Sequence, residues 1–417
     1  MESNESVLSN EVLDQLIGSA KTQEDVFGKH GLVKQFTKRL IERMMQAELG
    51  HHLGHQVEPA QPAEAEVAER KNRRNGTSAK RVMTENGPVE VAIPRDRDGT
   101  FVPVILPKHA RRMLGMDERI LAMYSRGMST RDIASMMTEM YGTEISADLV
   151  SHVTDEVKDD IAAWQTRPLA STYAVVWVDA IFVKIRDQGV VNNRALYVAL
   201  GIRTDGKKEL LGLWLEASEG ASYWQRVFAE WQSRGLVDIL ILCCDGLKGL
   251  PQAAAAVYPK TVVQGCIVHQ VRHCLSFVNW KERKNIAAKM RAIYNAPSET
   301  AGLEALEALR VSTRSRYPMI ADSWERNWET LRPFFELPPG LRRLIYTTNA
   351  IESLNAKIRK VVTAKGHFTG EDTAIKTIYL ALRQLENVWR SKAPIFWREA
   401  YAQLVVRFGD RALNKEI

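Results

Sequence analysis

The chain has 417 residues, too many for one ordinary compact domain, so its length predicts two to four folded units. Its 45% hydrophobic and 26% charged residues are close to the globular average and exclude a fibrous or largely disordered protein. The net charge of +7 favours a polyanionic partner. The sequence lacks both an apolar run of roughly 18 to 20 residues and a signal-like N-terminus, so we predict a cytoplasmic protein with no membrane partner.

The beginning of the chain is predicted to form a small helical unit over residues 1–56. Apolar residues recur there with a helical period, as they do from Leu40 to Met45. Residues 57–69 are rich in Pro, Ala and Glu and lack that period, so we interpret them as a linker.

A basic segment with short strands is predicted over residues 70–106. Cations surround Asn75-Gly76, a turn signal, and alternating apolar residues on both sides of Asp98-Gly99 predict a strand pair with its turn there. The cations either contact a DNA backbone or form a solvated basic loop. The candidates for DNA contact are Arg73, Arg74, Lys80 and Arg81.

Residues 107–170 are predicted to form a helix-turn-helix-like DNA-binding domain. Ser129 or Thr130 can cap a first helix, Tyr141-Gly142 marks a turn, and Ser146 can cap a second helix. Such helical pairs also occur in proteins that never contact DNA, so a purely structural role remains open. The candidates for DNA contact in this region are Arg126 and Arg131.

After residue 171 the apolar period becomes that of strands. TYAVVWVDAIFVKIRD, RALYVALGI and KELLGLWLE predict three antiparallel strands, and an amphipathic helix and the strand VDILILCC follow. This order is typical of an RNase H-like fold. We therefore predict an α/β catalytic core with a mixed five-stranded sheet, preceded by mainly α-helical DNA-binding domains. Its first part spans 171–270, a helical insertion spans 271–345, and a closing catalytic helix with C-terminal helices spans 346–417.

Three acidic residues are candidates for the chemistry. Asp179 lies within the first predicted strand and Asp245 directly follows the fourth, and these places are neighbours in the predicted fold. Asp179 has apolar surroundings, where an unpaired carboxylate would be costly. Glu352 lies off the apolar stripe of a predicted helix and shares a polar face with Asn355 and Arg359. Each acid alone is ordinarily a turn former or a solvated residue, so the prediction depends on their joint placement.

Three carboxylates suit phosphodiester cleavage, because two Mg²⁺ ions about 3.5 to 4 Å apart can neutralise the attacking and leaving oxygens. Hard divalent ions need oxygen ligands. We therefore predict Asp179, Asp245 and Glu352 as catalytic metal ligands, with Mg²⁺ as the cofactor and Mn²⁺ as an alternative. The cations near the third acid, which we predict to contact DNA, are Lys357, Arg359, Lys360 and Lys365.

Four segments, VDAIFVKIRD, LCCDGLKGL, GCIVHQVRH and YTTNAIESLNAKIRK, resemble in order and spacing the mutator family of bacterial insertion-sequence transposases. LIERMMQAELGHHLG and NRRNG extend the resemblance to about residues 10 to 400. It implies that Asp179, Asp245 and Glu352 are the acids of a DDE triad that cuts and joins double-stranded DNA at terminal inverted repeats and target DNA. It also implies a bacterial protein that forms a homodimer or a larger homo-oligomer on DNA and is nucleoid-associated when bound to DNA.

The resemblance also includes a Cys-x2-His motif, matched by Cys266 and His269. From the residues alone, Cys266, His269, His273 and Cys274 can be interpreted as a zinc site, although neighbours 273 and 274 point to different helix faces. The favoured interpretation packs Cys266 in the core and lets His269 contact a phosphate or orient a catalytic group. The four cysteines lie within 243–274, which is not the pattern of a disulfide-linked secreted protein.

Two other functions remain open. Another RNase H-like nuclease would share the acids, but it predicts a compact core, whereas 107 positions separate Asp245 from Glu352. An inactive transposase-derived DNA-binding regulator predicts a damaged triad, whereas all three acids are present. The sequence has no phosphate-cradling P-loop, so no nucleotide cofactor is expected.

Overall fold

The computed structural model describes residues 14, 17–18, 20–28, 31–55, 72–84, 87–107, 115–142, 144–216, 220–346, 349–389, 393 and 396–413. The chain divides into two compact units, one formed by 1–123 with 129–153 and the other by 124–128 with 154–417. The predicted linker at 57–69 lies outside the described residues. No described helix combines the length and the apolar character that crossing a bilayer requires.

The first unit combines helices with one β-hairpin. A long helix packs against the hairpin, and Ile41 and Met45 of the helix meet Val82, Val89 and Val91 of the strands in one buried cluster. The elements of this unit and its borders are α1 (Gln23–Phe27), α2 (Leu32–His55), β1 (Arg74–Thr84), β2 (Gly87–Asp96), α3 (Met116–Tyr124), α4 (Thr130–Tyr141) and α5 (Ala147–Asp155).

The hairpin corrects the predicted strand pair. β2 pairs antiparallel with β1, and the described residues 100–107 after Asp98-Gly99 form no second strand. There, the backbone N–H groups of Val104 and Ile105 donate to the Glu48 carboxylate at 2.8 and 3.2 Å, and this replaces the bonds of a strand ladder. Asn75-Gly76 is also not a turn, because it forms an irregularity within β1.

The predicted helical pair is present in α4 and α5. The Ser129 side chain accepts a hydrogen bond from the backbone of Asp132 and caps α4, which ends at Gly142 with φ 62°. The backbone of Leu149 donates to the Ser146 side chain at the start of α5. These caps satisfy N–H groups that a helix end leaves without partners. Contact of this pair with DNA remains a prediction.

The second unit is built on a mixed five-stranded sheet, as predicted. Its spatial order is β5-β4-β3-β6-β7. The first three strands in sequence form an antiparallel meander, and the fourth returns beside the first in parallel. The strands are β3 (Thr172–Asp187), β4 (Val190–Arg203), β5 (Lys208–Glu216), β6 (Asp238–Cys244) and β7 (Val262–Gly265).

Helices cover the two faces of this sheet. Trp224, Phe228 and Trp231 of one helix pack with Val176 and Val178 of β3 in a buried cluster rich in aromatic residues. Since side chains alternate along a strand, the other face of β3 carries the odd-numbered residues from 179 to 185. The helices flanking the sheet are α6 (Val157–Thr166), α7 (Ala221–Ser233), α8 (Leu250–Val257), α16 (Asn349–Lys365), α17 (Glu371–Trp389) and α18 (Trp397–Phe408).

The interval between the sheet and α16 is helical, as the sequence predicts. Its own core includes Met290, Ile320, Trp324 and Phe334, which are almost fully buried. Its helices are α9 (Ile267–Ser276), α10 (Arg283–Tyr294), α11 (Glu299–Thr313), α12 (Pro318–Arg326), α13 (Trp328–Leu331), α14 (Pro333–Glu336) and α15 (Pro339–Tyr346).

Candidate metal centre

The register of β3 and β6 brings two carboxylates together. Val178 pairs with Cys244 in the parallel ladder, so Asp179 and Asp245 are the next residues on neighbouring strands. Strand β3 continues beyond this point, whereas β6 ends. Asp179 therefore projects from within a strand and Asp245 from the end of one, which is the juxtaposition that the sequence predicts.

His269 joins the two acids from the next element of the chain. Cys244 also pairs with Gly265 of β7, and α9 begins immediately afterwards with Cys266 as its N-cap residue. His269 thus lies in the first turn of α9. Its Nε2 is 3.7 Å from Asp179 Oδ2 and its Nδ1 is 3.7 Å from Asp245 Oδ2.

The three side chains form a group that could hold a metal ion, because one ligand atom from each lies within 4.8 Å of the others. Within the described part of the chain, no other set of three His, Cys, Asp or Glu side chains converges in this way. The two carboxylates provide the oxygen ligands that Mg²⁺ and Mn²⁺ prefer.

The two acids differ in their exposure to solvent, and the pKa of Asp245 is raised by its surroundings. Asp179 is only 3% exposed, whereas 44% of the Asp245 side chain is exposed. Burial raises the pKa of Asp245, and the neighbouring Asp179 raises it further against the opposing effect of His269. Two carboxylates this close repel each other in a partly dry site, so a cation between them would be favoured.

Asn355 of α16 supports Asp179 from the other side. Its side-chain amide donates to Asp179 Oδ2, and Asp179 Oδ1 accepts from the backbone of Ala180 at 2.8 Å. Asn355 Oδ1 and His269 Nδ1 are buried and have no hydrogen-bond partner among the described residues. These two unpartnered polar atoms beside a carboxylate pair fit a site that binds a hydrated cation.

Glu352 occupies α16 three residues before Asn355. Residues three apart in a helix share a face, so its position is on the side of α16 that carries Asn355. The Glu352 side chain lies outside the described part of the structure. Its role as the third acid therefore stays a prediction.

The zinc interpretation receives no support from this geometry. Cys266 is not part of the converging group, and burial raises the pKa of its thiol to about 11, which disfavours the thiolate that zinc needs. The Cys274 thiol is buried and directed toward the backbone oxygen of Ile320 at 3.9 Å. The His273 ring packs edge-on against Phe277.

Of the cations predicted to contact DNA in the first unit, several are exposed. Lys80 is half-buried, and its ammonium donates to the backbone oxygen of Pro107 at 3.2 Å. The exposed ones are Arg73, Arg74 and Arg81 near and in β1, and Arg131 in α4. DNA contact by these residues remains a prediction.

The cations of the second unit fall into two groups. Arg126, Arg359 and Lys360 are exposed and Lys357 is half-buried. In contrast, the Lys365 ammonium donates to the backbone oxygen of Met128 at 2.9 Å and lies over the Tyr124 ring. Lys365 therefore holds the end of α16 within its own unit, a contact that the sequence did not predict.

The sequence also did not predict the contact between Asn355 and Asp179. Its position three residues after Glu352 was the available signal, and this places it on a polar face. That Asn355 is almost fully buried and bonded to an acid 176 positions away follows only from the tertiary structure.

The family profile described as "Transposase, Mutator family" matches residues 8–392. The chain is 48% identical, over 98% of its length, to the whole of a transposase for insertion sequence element ISRM3 from Rhizobium meliloti (strain 1021). Identity and coverage are the same for a probable transposase for an ISRM3-like element from Sinorhizobium fredii. A transposase for IS256 in transposon Tn4001 from Staphylococcus aureus is 26% identical over 77% of this chain and 83% of that protein.

Among solved structures, a crystal structure of NurA with manganese aligns with 63% of this chain and 66% of the NurA chain at 13% identity. Its TM-score of 0.11 is too low for an argument about fold.

Proposed function

We propose that this chain, which belongs to the Mutator family of transposases, mobilises an insertion sequence by metal-dependent DNA cleavage and strand transfer in an RNase H-like core. The catalytic acids in this proposal are Asp179, Asp245 and Glu352. The observation that carries it is the convergence of Asp179, Asp245 and His269 at the point where β6 ends beside β3. The strand order β5-β4-β3-β6-β7, with a helical interval before α16, supports the assignment of the core.

Asp179 and Asp245 would hold the metal, and we assign Glu352 to complete the ligand set from α16. Bound Mg²⁺ supplies charge neutralisation on the oxygens of a phosphodiester under attack, and Mn²⁺ can replace it. Asp179 is held rigidly for this purpose, because each of its oxygens already accepts one hydrogen bond from the protein. Rigid placement of charged groups is the main contribution that a protein makes to such chemistry.

His269 and Asn355 have different supporting roles in this proposal. Asn355 is a positioning residue, because it touches Asp179 and is shielded from solvent. His269 faces both carboxylates, and we assign it to orienting them and to contacting the scissile phosphate. Cys266 supports His269 indirectly, since its N–H bond to the Cys244 backbone oxygen fixes the start of α9.

The first unit would recognise DNA. We propose that the α4–α5 pair and the exposed cations of β1 bind the terminal inverted repeats, while the second unit engages the cleavage site and target DNA. Helical pairs of this kind place their second helix in the major groove. We further propose a homodimer or larger assembly that pairs two element ends in the bacterial cytoplasm.

The test is cleavage and joining on a labelled duplex that carries the element's end, in Mg²⁺ or in EDTA. The variants are Asp179→Asn, Asp245→Asn and Glu352→Gln, which remove charge without changing shape. Glu329→Gln is the matched control, because the side chain of Glu329 is 82% exposed on α13. The proposal predicts metal-dependent products with the native chain and the control, and none with the three variants, while all proteins bind the duplex.

Three other outcomes would contradict parts of this proposal. End binding by the native chain without any metal-dependent product would indicate a regulator that has lost catalysis. Cleavage without joining would indicate a nuclease. Activity that survives Glu352→Gln but not the two Asp substitutions would remove Glu352 from the triad.

A further inference from the structure

The hairpin of β3 and β4 extends beyond the rest of the sheet. β6 pairs with β3 only as far as Val178, and β5 pairs with β4 only from Ala195 onward. The outer end of the hairpin, residues 182–187 and 190–195, closes through Gln188 and Gly189, which both have positive φ. This is the turn geometry that matches the twist of two paired strands.

The two faces of this outer hairpin are unlike. On one face Ile181, Val183 and Ile185 are buried. On the other face the side chains are exposed, and the register places residues of β4 beside those of β3. We call this second surface the ribbon face; its residues are Phe182, Lys184, Arg186, Val191 and Asn193.

The chemistry of the ribbon face is not that of an ordinary solvated strand. Phe182 is 69% exposed beside Lys184 and Arg186, and neither cation forms a side-chain hydrogen bond or ion pair with a described residue. The ribbon face contains no acid, because Asp187 alternates to the other face of β3. An exposed aromatic ring among unpaired cations is typical of surfaces that bind nucleic acid.

The ribbon face lies near the candidate metal centre along β3, although the side chain of Asp179 projects from the opposite face of the strand. Phe182 follows Asp179 by three residues on the same strand, about 10 Å at about 3.3 Å per residue. Among the described residues, no backbone partner pairs with this edge of β3 between Val178, where β6 ends, and Lys184, whose backbone oxygen accepts from the Phe368 N–H. Asp179 lies at this gap, so a duplex that runs along this edge of β3 can contact the acids on one side of the strand and the long side chains of the ribbon face on the other.

We infer that the ribbon face binds duplex DNA beside the cleavage site, an inference that rests on the proposed function. Lys184 and Arg186 would neutralise backbone phosphates, and Phe182 would pack on the sugars or bases between them. Arg186 lies about 23 Å along β3 from Asp179, so the contacts fall about 3 to 7 base pairs from the scissile phosphate at about 3.4 Å per base pair. A two-stranded ribbon has the width that the major groove admits.

The first test measures binding of the full chain to a labelled duplex in EDTA, so that no chemistry intervenes. The variant K184E/R186E is compared with K207E/K260E, a control with the same charge change at the opposite end of the sheet, where β4 meets β5 and β7 begins. We expect K184E/R186E to weaken binding at least 10-fold and to reduce the slope of log affinity against log salt by about 2. The control should change neither quantity, and equal effects of the two variants would overturn the inference.

A second test locates the contact. Phe182→p-benzoylphenylalanine, a photoreactive substitution, should crosslink to the duplex about 3 base pairs from the cleavage site. The same substitution at Val237, which is 73% exposed at the start of β6, is the control and should not crosslink there. Crosslinks from position 182 to a second protein chain, in place of DNA, would contradict the inference and identify an interface between copies.

These measurements separate the two proposals. Triad variants that lose cleavage, with K184E/R186E binding as well as its control, would retain the proposed function and reject the ribbon face. Crosslinking of DNA by the variant substituted at position 182, together with a native chain that never cleaves DNA, would support the ribbon face and reject the metal chemistry.

Discussion

Asn355 donates a side-chain hydrogen bond to Asp179 across 176 positions of the chain. The donor and the acceptor residues are 1% and 3% exposed, so water does not compete for this bond. It ties α16, the helix that carries Glu352, to the strand that carries the first acid. The placement of the acids relative to one another therefore depends on a residue that is itself neutral.

We expect Asn355→Ala to reduce metal-dependent cleavage about 10- to 100-fold while DNA binding is kept, because an outer partner of a ligating carboxylate is lost. The metal concentration that gives half-maximal cleavage should rise, and calorimetric titration of Mn²⁺ without DNA should show the same shift. Asn285→Ala, an exposed amide on α10, is the control and should behave as the native chain. A drop in rate with unchanged metal affinity would assign Asn355 a structural role only.

The raised pKa of Asp245 predicts how its substitution changes stability. A carboxyl whose folded-state pKa is raised contributes stability below its ordinary pKa of 3.8, and this is lost as pH rises through the folded-state value. Asp245→Asn imitates the neutral form, so in EDTA at pH 7 the variant should melt at a higher temperature than the native chain. The difference should shrink as pH falls through the folded-state pKa and should be gone below pH 3.8.

Bound metal should reverse the order of the two melting temperatures, so that the native chain melts above Asp245→Asn. At a Mg²⁺ concentration of 100 times its dissociation constant the native chain gains about 2.7 kcal/mol, because the metal binds the folded state, whereas Asp245→Asn gains little. Thermal unfolding with and without Mg²⁺ measures both effects. Asp322→Asn, in the helical interval, should keep the native response to metal; equal responses of native chain and Asp245→Asn would show that Asp245 is not a ligand.

The turn after α4 predicts a stability change in the first unit. Gly142 has φ 62°, where a Cβ would meet no atom within 4 Å, so its substitution acts through backbone conformation alone. Gly142→Ala should lower the free energy of unfolding by about 1 to 2 kcal/mol, and Gly142→Asn by less.

Gly50→Ala provides the contrasting control, because Gly50 is exposed within α2 and a Cβ there makes only an ordinary contact at 3.8 Å. It should stabilise the unit by about 0.5 to 1 kcal/mol. Urea unfolding followed by circular dichroism measures both. The same sign of change at the two glycines would contradict the conformational explanation.

Asp155 and Lys376 form an ion pair of 2.6 Å in which the lysine is only 7% exposed. The hydrogen bond from Lys376 holds the pKa of Asp155 below its ordinary value. Asp155→Asn should lower the free energy of unfolding by about 1 to 3 kcal/mol at pH 7, less than for a fully buried pair, because the Asp155 side chain is 45% exposed. Lys376→Met should lower the free energy of unfolding by less than Asp155→Asn does, since it removes the buried charge while filling its space.

Linkage gives the pH dependence of this effect. A carboxyl group whose pKa is lowered in the folded state stabilises the fold above pH 3.8, and this contribution is lost as pH falls through the folded-state pKa. The deficit of Asp155→Asn in urea unfolding should therefore disappear in acid. Asp372→Asn, whose side chain is 77% exposed and pairs with Lys158, should change stability by less than about 1 kcal/mol.

Local patterns were sufficient to predict the strands of the sheet, because alternation and apolar runs are properties of neighbouring residues. They were equally sufficient for the caps of α4 and α5, since Ser129 and Ser146 bond to backbone groups three residues away. The position of Asp245 after a strand that returns beside β3 followed from the order of elements. Family membership was predicted from segments spread over the chain, and the profile match confirms it.

Tertiary structure decided what depends on distant partners. Asn75-Gly76 and Asp98-Gly99 are local turn signals, but the hairpin of β1 and β2 instead closes between Thr84 and Gly87, and its strands pack against α2. His269 comes between the acids only because β7 pairs with β6. Such contacts join residues far apart in the chain, so no short window of sequence contains the energies that determine them.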